Sequence, residues 1–242
     1  MKVILVGALG RMGGHVKTIL DKLGYDTVDV DAFSEGGGVY KSINDVSEAA
    51  DVIIDFSFHT ITEEVVSYAL EKGIPAVICT TGHTPEEKEI IKKASEKTGI
   101  FYSGNMSIGI ATLCQTVKTV VSAFPDADVE IVETHHNRKA DAPSGTAIML
   151  FDAVKEVRPE AKALHGRGGY GKREKDEVGI SAMRMGNIVG IHEVCICTDN
   201  ERITLKHEAF DRALFADGAV KAAEFMVGKG AGMYSMKEMM KG

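Results

Sequence analysis

The sequence predicts an α/β protein with a parallel-sheet domain followed by an α+β domain, and three observations predict it. Between Met1 and Met106 short β-branched runs alternate with helical stretches, the pattern of βαβ units. A glycine-spaced turn, Gly7 to Gly13, follows the first run directly and opens a helix. Beyond Asn105 the alternation gives way to two longer helical stretches and strand-like runs joined by turn dipeptides.

In the first half, strands are expected at Lys2–Val6, Thr27–Asp31, Val52–Phe56, Ala76–Thr80 and Ile100–Ser103. Each is apolar on both faces, as a parallel sheet covered by helices requires. Thr84, Pro85, Glu86 and Glu87 mark one helix start. The second half predicts a helix from about Ile108 to Phe124, a strand Asp128–Thr134, and a second helix from about Thr146 to Val157. Val178–Met185, Ile188–Thr198 and Arg202–Phe210 then read as an antiparallel meander turned by Gly186-Asn187 and Asp199-Asn200. The amphipathic stretch Asp211–Val227 reads as a helix returning to the first domain. The expected division is therefore 1–106 with 211–242, and 107–210. The glycine-rich segments Ser34–Tyr40 and His165–Glu177 read as mobile loops.

Composition narrows the function. A chain of 242 residues that is 44 % hydrophobic and 26 % charged is globular and long enough for two domains. Its net charge of −7 argues against wrapping nucleic acid, which needs a basic stripe. No run of about 18 apolar residues occurs, and Lys2 to Val6 is too short for a signal-peptide core, so a cytoplasmic protein without a membrane partner is expected. Cys79, Cys114, Cys195 and Cys197 lack metal-ligand spacing and read as reduced, mostly buried thiols.

The turn Gly7-Ala8-Leu9-Gly10-Arg11-Met12-Gly13 places glycines where backbone must turn sharply and approach a pyrophosphate at a helix N-terminus, the arrangement of a Rossmann-type dinucleotide site. The spacing is GxxGxxG, and alone it also fits a tight turn without a ligand. About 20 residues on, Asp31 ends the second strand, where an acid hydrogen-bonds the adenosine ribose hydroxyls; a solvated acid at a strand end is the alternative. Ala32, Phe33 and Ser34 after it include no cation, and Lys41 lies beyond a glycine-rich loop. NADH is therefore the expected cofactor, with some use of NADPH. Asp55-Phe56-Ser57, Cys79-Thr80-Thr81-Gly82 and Ser103-Gly104-Asn105-Met106 fall on the same carboxyl edge.

The segment from Glu133 to Ala147 packs two imidazoles, two cations and a helix start into one stretch. Ser144 is a suitable N-cap, and the N–H groups around Gly145 and Thr146 suit a substrate carboxylate. Imidazole and ammonium groups beside them can bind a second carboxylate and deliver a proton. Taken singly, His135, His136 and Lys139 also fit a solvated loop. Adjacent histidines on an extended segment point apart, and no third ligand has metal spacing, so no metal is expected.

On Gly7 to Gly13, Thr80-Thr81-Gly82, Asn105-Met106-Ser107-Ile108-Gly109, His135 to Ala147 and the tail Gly232 to Met236, the chain resembles the 4-hydroxy-tetrahydrodipicolinate reductase family, also called dihydrodipicolinate reductases, of lysine and diaminopimelate biosynthesis. The resemblance implies an NAD(P)H-dependent oxidoreductase and homotetramer acting on a small dicarboxylate. It implies proton handling by His135 and Lys139, and substrate binding by His136, Gly145 and Thr146, alongside Ser144. It implies cofactor contacts from Gly7, Ala8, Leu9, Gly10, Arg11, Met12, Asp31, Cys79, Thr80, Thr81, Ser103, Gly104, Asn105 and Met106. Cys79 and Met106 stand where it implies Gly and Phe. Read without it, the residues also admit an aspartate or homoserine dehydrogenase-like reductase, or a non-catalytic dinucleotide-sensing module.

Overall fold

The apolar run Lys2–Val6 forms β1, and Val3, Ile4 and Leu5 on it are wholly shielded from solvent. Burying a side chain of that size stabilises by about 1.5–3 kcal/mol, so this strand is a natural centre for a core. The structure, a computed structural model, describes residues 1–241. The chain divides into two units, one of Met1–Ser107 with the segment from Arg212 onward, the other Ile108–Asp211.

In the first unit, β1 is joined by β2 (Asp26–Val30), β3 (Val52–Asp55), β4 (Ala76–Ile78), β5 (Gly99–Tyr102) and β11 (Gly232–Tyr234). They form a six-stranded sheet of order β11-β5-β4-β3-β1-β2, every pair parallel. The order reverses beside β1, which makes its carboxyl end the switch point at which such sheets bind ligands. Helices α1 (Arg11–Lys22), α2 (Thr62–Lys72), α3 (Pro85–Ser95) and α6 (Ala213–Met226) cover the sheet, and α7 (Met236–Met239) follows β11. Thr84 caps α3 in a capping box with Glu87, as the sequence signals. On α6, a Cβ at Gly218 would lie 1.7 Å from the Met106 carbonyl oxygen, so only glycine lets the helix meet the loop after β5.

Four strands end earlier than expected, at Val30, Asp55, Ile78 and Tyr102. The backbone leaves the ladder at the carboxyl edge: the Asp31 N–H donates to Tyr40 O across the glycine-rich loop. Asp31, Phe56, Cys79, Thr80 and Ser103 therefore belong to edge loops rather than to strands. β7 (Lys162–His165, in the second unit), β11 and α7 lie outside the expected elements, because three or four residues leave too little pattern to read.

The second unit contains α4 (Ile108–Ala123), β6 (Asp128–His135), α5 (Gly145–Val157), β7 (Lys162–His165), β8 (Glu177–Arg184), β9 (Gly190–Cys197) and β10 (Arg202–Ala209). Its five-stranded sheet has the order β10-β9-β6-β8-β7. The expected meander is thus only half present. β9 and β10 form the antiparallel hairpin, but β6 separates β8 from β9, running parallel to the first and antiparallel to the second. The Gly186-Asn187 turn passes over the end of β6, where the His136 N–H donates to Ile188 O and the Asn137 N–H to Gly186 O. Ile110 and Val117 of α4 and Leu150 and Val154 of α5 pack with Val129, Ile131, Val178 and Val194 in a core on one face of this sheet.

All four cysteines are free; Cys79 is buried, Cys114 and Cys195 half-buried and Cys197 exposed, which corrects the expectation of mostly buried thiols. Cys195 and Cys197 lie on the face of β9 opposite that core, where alternation places them. Among the described residues no helix is long and apolar enough to cross a membrane.

Candidate active site

Two of the three glycines after β1 are required by backbone alone. Gly7 has φ +81° and a Cβ there would lie 2.5 Å from the Phe56 carbonyl oxygen; one at Gly13 would lie 2.2 Å from Gly7 O. Gly10 differs: its φ of −72° suits any residue, and it is the exposed N-cap of α1. No side chain caps that helix and its first turn carries no acid, an arrangement whose N–H groups and dipole suit an anion.

Asp31 is only 7 % exposed. Its Oδ2 accepts the Leu9 N–H at 3.0 Å and its Oδ1 the Phe33 N–H at 3.0 Å, so it is not a solvated acid but a brace between the glycine turn and the end of β2. A cavity of about 470 Å³ lies here, with Gly7, Gly10, Arg11, Asp31 and Lys41 in its lining. Lys41, distant in sequence, shares that cavity with Asp31.

The neighbouring loops are joined through Asp55, which the sequence places on the carboxyl edge without showing it as a junction. Asp55 is fully buried at the end of β3; its Oδ1 accepts from the Ser57 N–H at 2.9 Å and from the Ser57 hydroxyl, and its Oδ2 from Thr80 Oγ1 at 2.9 Å. Burial pushes its carboxyl above the ordinary range. Burial also pushes the Cys79 thiol up, and the Met106 side chain is buried too. Ser103 Oγ donates to Asn105 O at 2.7 Å, while Thr81 and Gly104 are exposed.

In the second unit, Val129, Ile131, Glu133 and His135 alternate on one face of β6. Glu133 is 0 % exposed and meets four donors. His135 Nδ1 lies 2.5 Å from Oε2, Arg184 donates to both oxygens at 2.8 Å, and the Ser144 N–H donates to Oε1 at 3.0 Å. Burial alone would raise this carboxyl, but the bonds from Arg184, His135 and Ser144 outweigh it and hold it below its ordinary value. An ionised acceptor at Nδ1 favours the tautomer with the proton on that nitrogen and leaves Nε2 as the ring's other hydrogen-bonding atom. A Cβ at Gly190 would lie 3.1 Å from that Nε2, so the glycine makes room for the ring.

Ser144 caps α5, its Oγ accepting the Ala147 N–H at 3.1 Å. The same hydroxyl lies 3.1 Å from Nε2 of His192, which is 4 % exposed and packs edge-to-face on His135 with centroids 5.1 Å apart. Burial, with His135 adding to it, pushes His192 down to about 4. Lys139 Nζ donates to both Asp141 oxygens at 2.8 Å and draws that carboxyl down, while Arg184 donates to the Asp141 carbonyl at 2.7 Å. His136 is half-exposed, Thr146 half-exposed and Gly145 exposed.

Of the sequence-predicted residues of the second half, His135 and Ser144 are joined through Glu133, Gly145 and Thr146 follow Ser144 on α5, and Lys139 is linked through Asp141 to Arg184. Arg184 and His192 were missed, and Glu133 was seen only as the edge of a motif. The signal for Glu133 and His135 was their spacing of two on a strand; Arg184 had none, because the β6–β8 register alone sets it opposite His135.

This geometry meets a known family. Residues 1–106 match the family described as dihydrodipicolinate reductase, N-terminus, and residues 109–240 the one described as dihydrodipicolinate reductase, C-terminus. The chain belongs to the dihydrodipicolinate reductase family. A 4-hydroxy-tetrahydrodipicolinate reductase of Caldanaerobacter subterraneus subsp. tengcongensis is 42 % identical, the match covering 100 % of this chain and 98 % of the relative. One from Clostridium tetani is 40 % identical, covering 99 % and 97 %. Among solved structures, dipicolinate-bound dihydrodipicolinate reductase from Paenisporosarcina sp. TG-14 superposes with a TM-score of 0.78 at 22 % identity, covering 97 % of each chain. That last likeness concerns the fold, the family's Rossmann-like sheet and second mixed sheet.

Proposed function

We infer that this chain reduces 4-hydroxy-tetrahydrodipicolinate to tetrahydrodipicolinate with NAD(P)H, a step of lysine and diaminopimelate biosynthesis. Homology over the whole chain supports the reading, and the Glu133 cluster carries it at the level of chemistry. The dehydrogenase-like and sensing alternatives have no comparable support. The 4-hydroxyl leaves as water together with a proton from C3, hydride from NAD(P)H adds at C4 of the conjugated imine, and a proton returned to C3 restores the imine and leaves NAD(P)+.

The edge at β1 fits the cofactor: an uncapped helix start and an exposed Gly10 suit a pyrophosphate, and Asp31 stands where ribose hydroxyls are bound. Bound there, the nicotinamide supplies the hydride. Gly7, Ala8, Leu9, Gly10, Arg11 and Met12 would hold it, with Cys79, Thr80, Thr81, Ser103, Gly104, Asn105 and Met106 at the neighbouring loops. Since Cys79, Thr80 and Met106 have buried side chains, their part is played by backbone. An acid at Asp31 repels a 2′-phosphate, so NADH is preferred; Arg11 and Lys41 on the same cavity leave NADPH usable.

For the second unit, the N–H groups of Gly145 and Thr146 at the start of α5 bind one substrate carboxylate. His136 and the Lys139 ammonium face the other acidic or electron-rich parts of the ring. His135 delivers and recovers the proton through Nε2, its ring fixed by Glu133. Because Glu133 also accepts the Ser144 N–H, one buried carboxylate sets proton donor and anion site in register. The assembly proposed is a cytoplasmic homotetramer, which light scattering at four times the protomer mass would support.

The test supplies purified synthase, pyruvate and aspartate semialdehyde together with this protein and NADH, followed at 340 nm. Synthase-dependent oxidation of NADH is expected; its absence overturns the assignment.

A further inference from the structure

Two phenylalanines sit where a folded chain gains nothing from them. Phe33 is 74 % exposed and Phe58 62 % exposed, yet their rings meet edge-to-face with centroids 6.4 Å apart at 78°. Isolated apolar side chains on a surface need no account, but two large rings in contact over a cavity mark a binding surface. Both line the 470 Å³ cavity that holds Asp31 and Gly10.

Their positions are fixed by the fold. Phe33 follows β2 and its N–H donates to Asp31 Oδ1, which ties this ring to the acid expected at the adenosine ribose. Phe58 follows β3, where its carbonyl accepts the Ile61 N–H at 3.1 Å. In the sheet β1 lies between β3 and β2, so the two rings approach from either flank of the glycine turn.

We propose that Phe33 and Phe58 form an aromatic clamp for the adenine of the dinucleotide. The proposal rests on the dinucleotide reading above and adds what holds the base. Aromatic rings bind a base through its π-face, an interaction blind to charge and tolerant of the base's substituents. The ribose is then read by Asp31 and the base by stacking. Neither ring belongs to the core, so removing either leaves the fold intact.

The chain contains no tryptophan, so Phe58→Trp introduces a single fluorescent reporter at the clamp. ADP-ribose, which carries the base but no nicotinamide, is expected to quench that tryptophan. Phe33→Ala and Phe58→Ala should each weaken ADP-ribose and NADH by about tenfold or more in calorimetry, with unchanged melting temperatures. Reduced nicotinamide mononucleotide, which lacks the base, should bind both variants within twofold of wild type. Wild-type affinity for ADP-ribose in both alanine variants, or no quenching in Phe58→Trp, overturns the clamp. Wild-type protein that binds neither NADH nor ADP-ribose overturns instead the dinucleotide reading on which the clamp rests.

Discussion

The two units present their polar groups in different ways. At the end of β1 the donors are backbone N–H groups, presented by glycines whose Cβ atoms the fold has no room for and by a helix start without a cap. Around β6 the polar groups are side chains, and nearly every charge is already paired: Glu133 with Arg184 and His135, and Lys139 with Asp141. On the proposed function the first design would position a constant ligand with little reorganisation, and the second would hold titratable groups against one another so that a proton can move while the surrounding charges stay fixed.

If the division is correct, damage to one region should leave the other's ligand alone. Lys139→Ala is the largest such break short of the buried cluster. It should lower kcat by tenfold to a thousandfold, on the order of 1.4 to 4 kcal/mol, while NADH affinity by calorimetry stays within twofold. Near-normal turnover would remove Lys139 from the mechanism.

On the other side, replacing Asp31 by Ser together with Ala32 by Arg should move the NADPH to NADH ratio of kcat/KM by about 1.5 to 3 kcal/mol toward NADPH. Substrate KM should not follow. A wild-type enzyme that already favours NADPH would instead make Lys41 or Arg11 a phosphate ligand.

The second region should also be the acid-sensitive one. His192 is neutral in the folded protein down to a value of about 4, whereas an unfolded histidine titrates near 6.5. The unfolded chain therefore takes up the proton first, and the stability from neutral His192 is present above pH 6.5 and lost as pH falls toward 4, by up to about 3 kcal/mol. His192→Gln should show a smaller drop in melting temperature between pH 7 and pH 4.5 than wild type; an equal drop would place the acid sensitivity elsewhere.

The smallest effect is Thr146→Val, which keeps shape and helix N–H groups and removes a hydroxyl. Substrate KM should rise severalfold, about 1 kcal/mol for one hydrogen bond, with cofactor KM unchanged. Loss of both would indicate a folding defect, visible in a thermal melt.

The same contrast explains what the sequence revealed. Backbone sites are legible because glycine spacing, a strand before it and a helix after it are local: Gly7 to Gly13, Thr84 and Ser144 all stand where pattern placed them. The Glu133–Arg184 pair joins residues 51 apart through a register that no local pattern encodes. Asp55 was seen at an edge but not as a hub, since a strand buried on both faces has no alternation to expose its odd polar residue. β6 was expected as a strand, yet its place between β8 and β9 was not, because turn dipeptides read as hairpins whether or not a third strand lies between.

The most direct test of the account is Glu133→Gln, measured for kcat in the synthase-coupled assay and for NADH affinity by calorimetry, with a melt to verify folding. Glutamine keeps the shape but gives Nδ1 of His135 and the Ser144 N–H a weaker acceptor. The account predicts a fall in kcat of about a hundredfold or more, with NADH affinity within twofold of wild type. A folded variant with near-normal kcat, or one that loses NADH affinity in proportion to turnover, would contradict it.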